Sequence, residues 1–331
     1  MAGACPPELA IAVAQAGGMG GCGALSMTPE SILTWAHDVR AGTDGPFQMN
    51  LWIPDAPPVR HEADEAAMRA FLEQWGPPVP IDAGKNTLPN FDDQFDALID
   101  ARPKAISSIM GLFDEDKVER MKSHNILYMA TATTIAEARA ASQRGADIIV
   151  AQGSEAGGHR GAFSAQDALR GAVGSISLIP QIVDAVAQPV IATGGICDAR
   201  TSLAAFTLGA SAVQIGTGFL RSPEAGIAQS WHDTIGQTPP EKTLVTRAFS
   251  GRYGRGAATA YSSALEDENA PAPAPYPVQR GLTTPMRSAA EKAGDITRMQ
   301  AWMGQSAMMA RPESASIIVN DLWSALEDNI F

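Results

Sequence analysis

Between residues 20 and 222, short apolar runs alternate with stretches of helical character. The runs fall near 20–25, 47–52, 105–110, 126–130, 147–151, 190–193 and 212–215. Brief apolar strands separated by helices are the rhythm of repeated βα units around a parallel sheet, so seven strands are expected. Two of the intervening helices are well marked: Thr134–Arg144 is rich in strong helix formers and stops at Gly145, and Ala199–Leu208 runs the same way into Gly209. Glycine is a common residue just past a helix C-terminus.

Two segments break the rhythm. Residues 54–89 are Pro-rich around a charged, helix-like centre and are expected to leave the repeat and overhang one face of the barrel. Residues 223–300 read as mostly helical with Gly and Pro breaks, which predicts a smaller substrate-side subdomain beside a main domain of 1–222 plus 301–331. Within it, Ala270–Pro277 is polyproline-like and is expected to form a surface strap or lid edge. At the end, Ile317, Ile318, Leu322 and Leu326 share a helical spacing over Ser314–Leu326, a helix expected to pack back on the barrel.

Composition narrows the function. The chain has 331 residues, 45% of them apolar, enough for one large domain with an elaboration. A net charge of -12 argues against nucleic acid or an anionic membrane surface as partner and leaves small molecules. Cys5, Cys22 and Cys197 are far apart, so neither a metal site nor a disulfide framework is expected, and a reducing cytoplasm fits. No apolar run approaches the roughly 18 residues of a membrane span, and Met1–Leu25 lacks the pattern of a signal peptide. Nothing in the sequence sets an oligomeric state.

The chemistry concentrates in Gln152–Gly161, where His159 stands among glycines directly after an apolar run. Such a loop brings backbone close to a flat ligand while aiming one titratable group at it. By spacing alone His159 is either catalytic or a loop histidine bonded to a backbone carbonyl. In (β/α)8 barrels a phosphate is often held by the loops after the last two strands. Here those are Gly194-Gly195-Ile196 and Gly216-Thr217-Gly218, about 20 residues apart, and either a phosphate cradle or two tight turns would account for them. Glu155 and Arg160 read as either a surface salt bridge or loop-shaping groups. His37, His61, His124 and His232 read as solvent-facing, Arg247, Arg252 and Arg255 as a solvated basic loop ahead of the alternative that they meet an anionic substrate or the cofactor phosphate, Cys197 as buried and inert, and Met308 and Met309 as core filler.

The segments AQGSEAGGHRGAF, PVIATGGICDARTSLAAFTLGASAVQIGTGFL, PFQMNLWIP, LVTRAFSGRYGRG and AWMGQ resemble, in order and across nearly the whole chain, the nitronate monooxygenase family, once grouped as 2-nitropropane dioxygenases. The resemblance implies a TIM-type (β/α)8 barrel with FMN at its top. Asn50, Thr131, Gln152, Gly157 and Gly158 then match positions beside the flavin, Gly194 and Gly195 one phosphate loop, and Gln214, Ile215, Gly216 and Thr217 the second. Trp302, Gly304 and Gln305 match a late flavin-facing segment. Related chains begin with a strand ending in Pro-Met-Ala-Gly. Here only Met1-Ala2-Gly3 remains of it, so Met1 and Ala2 match the flavin contact and the first barrel strand is expected to be missing.

The implied reaction is oxidation of an alkyl nitronate by O2 to a carbonyl compound and nitrite. The flavin carries the redox step, and His159 is the general base for a neutral nitroalkane. Three alternatives stand beside it: an FMN-dependent NAD(P)H reductase of the enoyl-acyl-carrier-protein or quinone type, a non-catalytic FMN-binding remnant, and a flavin-free phosphosugar barrel.

Overall fold

The computed structural model describes residues 3–85 and 88–330. Its strands are β1 (Gly20–Gly23), β2 (Phe47–Trp52), β3 (Ala105–Ile109), β4 (Leu127–Ala132), β5 (Ile148–Gln152), β6 (Gly158–His159), β7 (Val190–Thr193), β8 (Ala212–Gln214), β9 (Thr243–Thr246) and β10 (Gly254–Ala257). Seven form one parallel sheet in the order β1-β2-β3-β4-β5-β7-β8, at the places the apolar runs predict. It is the strand order of a (β/α)8 barrel lacking one strand, and β1 and β8 are its two open edges.

The helices that precede, connect and follow the strands of this sheet are α1 (Pro7–Gln15), α2 (Pro29–Gly42), α3 (Glu62–Leu72), α4 (Phe91–Ala101), α5 (Glu115–Ser123), α6 (Ile135–Gln143), α7 (Ser175–Val183) and α8 (Ala199–Thr207). Local chemistry sets their starts: Thr28, Asn90, Asp114 and Thr134 each accept a first-turn N–H, and Asp198 forms a capping box with Thr201. The two helices read from sequence appear as α6 and α8.

Alternation along the strands divides the molecule into two layers. Met49, Ile106, Tyr128, Ile149 and Ala192 point outward and merge with Ile32, Phe95, Leu98 and Ile182 of the helices into the main core. Partners across a parallel ladder share a face, so the other set lines the barrel interior. That interior is apolar at its base, through Ala105, Met129 and Val150, and polar at the strand C-termini, through Asn50, Ser107, Thr131, Gln152, Thr193 and Gln214. Near the open seam Ile191 and Ala212 stay partly exposed, whereas Met129 and Val150, far from it, are each 2% exposed.

The segment after residue 222 carries α9 (Gln229–Ile235), α10 (Ala260–Ala264), α11 (Val278–Leu282) and α12 (Thr284–Ala293), together with the hairpin β9–β10, which the mostly helical expectation lacks. The hairpin pairs antiparallel with the two-residue β6. A second core joins the excursion to this segment, packing Met68, Leu72 and Val79 against Phe249, Tyr261 and Leu282. The last helix, α13 (Ala315–Ile330), lies on α8 and α1, with Ile318 and Leu326 buried and Ile317 exposed. Among the described residues no helix is long and apolar enough to cross a membrane, and no cluster of His, Cys, Asp or Glu could hold a metal ion.

Candidate active site

The loop after β5 is braced from within. The Gln152 side chain accepts from Gly161 N at 2.8 Å and donates to His159 O at 3.2 Å, so one amide holds both the exit and the return of the loop. Arg160, 2% exposed, donates to Gly153 O at 2.6 Å, and its backbone N–H donates to Tyr253 O. The Glu155 carboxylate accepts from Ser175 N and Ser175 Oγ. Glu155 and Arg160 are thus the loop-shaping groups expected.

His159 is held on four sides. Its backbone pairs with Gly254 of the hairpin, and its ring stands edge-on between Trp52, at 4.7 Å, and Trp302, at 4.9 Å. Its Nε2 lies 2.7 Å from Ser250 Oγ, which is 3.1 Å from Arg252 O. A carbonyl can only accept. Ser250 Oγ also accepts from Arg252 N at 3.3 Å, so its own proton can go to Arg252 O or to Nε2, and either tautomer of the ring satisfies the contact.

The electrostatics around this ring depart from a free histidine. The pKa of His159 is lowered to about 3, first by loss of solvation and then by Arg252, Arg280 and Arg287. The imidazole is neutral throughout the ordinary pH range. Arg252 overturns the expectation of a solvated basic loop: it is 3% exposed, its Nε ion-pairs with Asp55 at 3.2 Å, and its Nη1 has no partner among the described residues. The chain folds it inward because β10 returns across β6, a pairing the Gly-rich sequence hides.

The glycine loops converge on the same place. Gly304 N donates to Thr217 Oγ1 at 3.0 Å, Ser306 Oγ donates to Gly195 O at 2.6 Å, and Gln305 N donates to Glu155 O at 3.0 Å. The loops after β5, β7 and β8 and the 302–306 segment therefore form one cluster. Gly157 is required for it, since an added Cβ would lie 2.5 Å from Gly304 N. Gly194 and Gly195 have φ of 104° and 75°, a region that disfavours side chains. Gly216 is exposed, with nothing within 4 Å of an added Cβ, and Gln214 beside it is exposed as well. An open, backbone-lined cradle of this kind fits a phosphate-bearing cofactor. The N-terminus of α8 does not join it, because Asp198 caps that helix itself.

Other predicted groups fall into place around this cluster. Asn50 donates to Ser107 O and Oγ inside the barrel. Thr131 is buried, with its methyl 3.0 Å from where a Gly161 Cβ would stand. Gly158 pairs with Arg255 in the small sheet, and Ile215 borders the main core. Trp302 is bridged to Gly256. Met1 and Ala2 lie outside the described residues.

Of the remaining histidines, His37, His61 and His124 are exposed, but His232 is half-buried, its Nε2 3.1 Å from Arg221 O. Cys197 is buried and its thiol pushed up to about 11, consistent with an inert residue. Met308 is 57% exposed and is not core filler. Sequence reasoning missed Ser250, Trp52 and Tyr276 as individual site residues. Each sits in a segment noted for other reasons, and only the tertiary contacts with His159 or its neighbours mark it.

Comparison with known proteins follows the same lines. The family described as nitronate monooxygenase matches residues 1–325. A probable nitronate monooxygenase of Staphylococcus saprophyticus is 33% identical over 97% of this chain and 91% of its own length, and one of Staphylococcus aureus is 35% identical over the same shares. Among solved structures, nitroalkane oxidase from Streptomyces ansochromogenes superposes with a TM-score of 0.89 at 33% identity, covering 98% of this chain and 93% of the other. FabK from Thermotoga maritima superposes with a TM-score of 0.77 at 26% identity, covering 100% of this chain and 91% of the other.

Proposed function

Because this chain belongs to the nitronate monooxygenase family of oxidoreductases, we propose that it uses FMN and O2 to oxidise alkyl nitronates to carbonyl compounds and nitrite, with His159 as the base when a neutral nitroalkane is offered. The observation that carries this reading is the neutral His159 standing between two tryptophans, in the field of three arginines, beside an open glycine cradle.

FMN would be held through its phosphate by Gly194, Gly195, Gln214, Ile215, Gly216 and Thr217, and around its ring and chain by Asn50, Thr131, Gln152, Gly157, Gly158, Trp302, Gly304 and Gln305. When bound it supplies the electron transfer between substrate and oxygen. The chain's own residues do the rest. A depressed pKa makes His159 a weak base in the absence of an anion, yet the arginines that depress it favour a negatively charged nitronate. Charge developing on the nitro group offsets their field and raises the basicity of the imidazole as the proton leaves carbon. Trp52 and Trp302 fix the ring plane, and Ser250 holds Nε2. Ser250, Arg252 and Trp302 are buried, which limits the water that would otherwise screen Arg252.

The test is His159→Ala. We expect the flavin to be retained and turnover of neutral nitroalkanes to fall by about 100-fold or more. Preformed nitronates, which need no deprotonation, should lose far less. Equal loss on both substrates overturns the base assignment.

The likeness to FabK favours a second reading, a flavin-dependent NAD(P)H reductase of the enoyl-acyl-carrier-protein or quinone type. Anaerobic addition of NADH or NADPH separates the two: rapid bleaching of the flavin supports the reductase, and an unchanged spectrum the oxygenase.

A further inference from the structure

A cavity of about 280 Å³ borders this site, with Trp52 and Tyr276 in its wall and Trp52 in turn edge-on to His159. Its walls come from four separate stretches: Leu25 just after β1, the start of the 54–89 excursion with Ile53 and Ala56, the segment of Leu88, Phe91 and Gln94, and Tyr276 of the Ala270–Pro277 strap. All but a few of its lining groups are apolar. Its one acidic group, Asp55, is tied to Arg252, so the cavity offers no unpaired charge to an ionic ligand. Trp52 belongs to both spaces, with one ring edge-on to His159 at 4.7 Å and tilted against Tyr276 at 5.4 Å.

We propose that this cavity receives the unbranched, uncharged alkyl tail of the substrate and so selects for chain length. The proposal rests on the nitronate-oxidising reading. A nitronate head placed beside His159 and the arginines directs its tail past Trp52, and the volume beyond suits a medium-length chain, being near the low end of the roughly 300–1,000 Å³ typical of ligand pockets. A carboxylated tail would meet Asp55 and an apolar wall, and is disfavoured.

The test has a binding arm and a turnover arm. Calorimetry of the holoenzyme with 1-alkanols from propanol to decanol needs no reaction. Affinity should rise about fourfold per added CH2 until the cavity is full and then level off. Ala56→Trp, at an exposed position that tolerates bulk without unfolding, should move the plateau to shorter chains, and Leu88→Ala should move it to longer ones. With the matching 1-nitronates, kcat/KM should follow the same series. Length-independent alkanol binding, variants that leave the plateau in place, or displacement of bound alkanol by NADH or NADPH would each overturn the tail site. Length-dependent binding without turnover of any nitronate would leave the tail site standing and overturn the oxidation reading instead.

Discussion

At the scale of single residues the site turns on the cost of charging His159. In the folded chain its pKa is lowered to about 3, against an ordinary value near 6.5, so the folded state binds fewer protons than the unfolded one below that ordinary value. The stabilising effect of a neutral ring is complete above about pH 6.5 and is lost as pH falls toward 3, by up to about 1.4 kcal/mol per pH unit. Urea unfolding between pH 7 and pH 4 should therefore show a smaller acid loss in His159→Gln than in the parent chain, and identical profiles would refute the assignment. Arg252→Met removes the foremost of the three charges facing the ring, so an NMR titration of the His159 ring should shift upward. Ser250→Ala should leave the flavin content unchanged but lower kcat on neutral nitroalkanes more than it raises KM, because the ring loses the hydroxyl that orients Nε2 while the substrate contacts stay. His159 itself was legible in sequence as the one histidine among glycines. Ser250, Trp52 and the inward turn of Arg252 were not, since nothing local distinguishes a serine or arginine that a distant hairpin delivers.

At the scale of elements, β3, β4 and β5 could be read because strands buried on both faces are near-continuous apolar runs, whereas β2 and β7 alternate buried and half-buried positions. The hairpin escaped notice because Gly254-Arg-Gly-Ala257 has no alternation, and β6 is two residues long. Pairing across 95 residues makes these strands, as the register of Gly254 with His159 shows. The same loop predicts two outcomes. Gln152→Ala removes both the brace on Gly161 N and that on His159 O, and should destabilise by about 1–3 kcal/mol, read as a fall in the urea midpoint. Gly157→Val forces side-chain atoms onto the backbone of Met303 and Gly304, so flavin retention should fail before the fold does. Apoprotein with a native far-ultraviolet circular dichroism spectrum is the expected result, and full flavin retention would contradict the close approach of the two loops.

At the scale of the whole molecule, an eightfold architecture with seven strands among the described residues leaves β1 and β8 as the edges of the sheet. Hydrogen exchange should accordingly be slowest in β3, β4 and β5 and markedly faster in β1 and β8, and uniform protection across the sheet would argue that the seam is closed in solution. The amino-acid sequence by itself determined the parallel sheet, the positions of its strands, the capped helices and the Gly-rich loops at their C-termini, because each follows from periodicity and from residues within a few positions of one another. Only the tertiary structure decided that His159 is neutral, that three arginines face it, and that an apolar cavity opens beyond Trp52. Those properties come from desolvation and from contacts between segments distant along the chain, and no local pattern of residues encodes either.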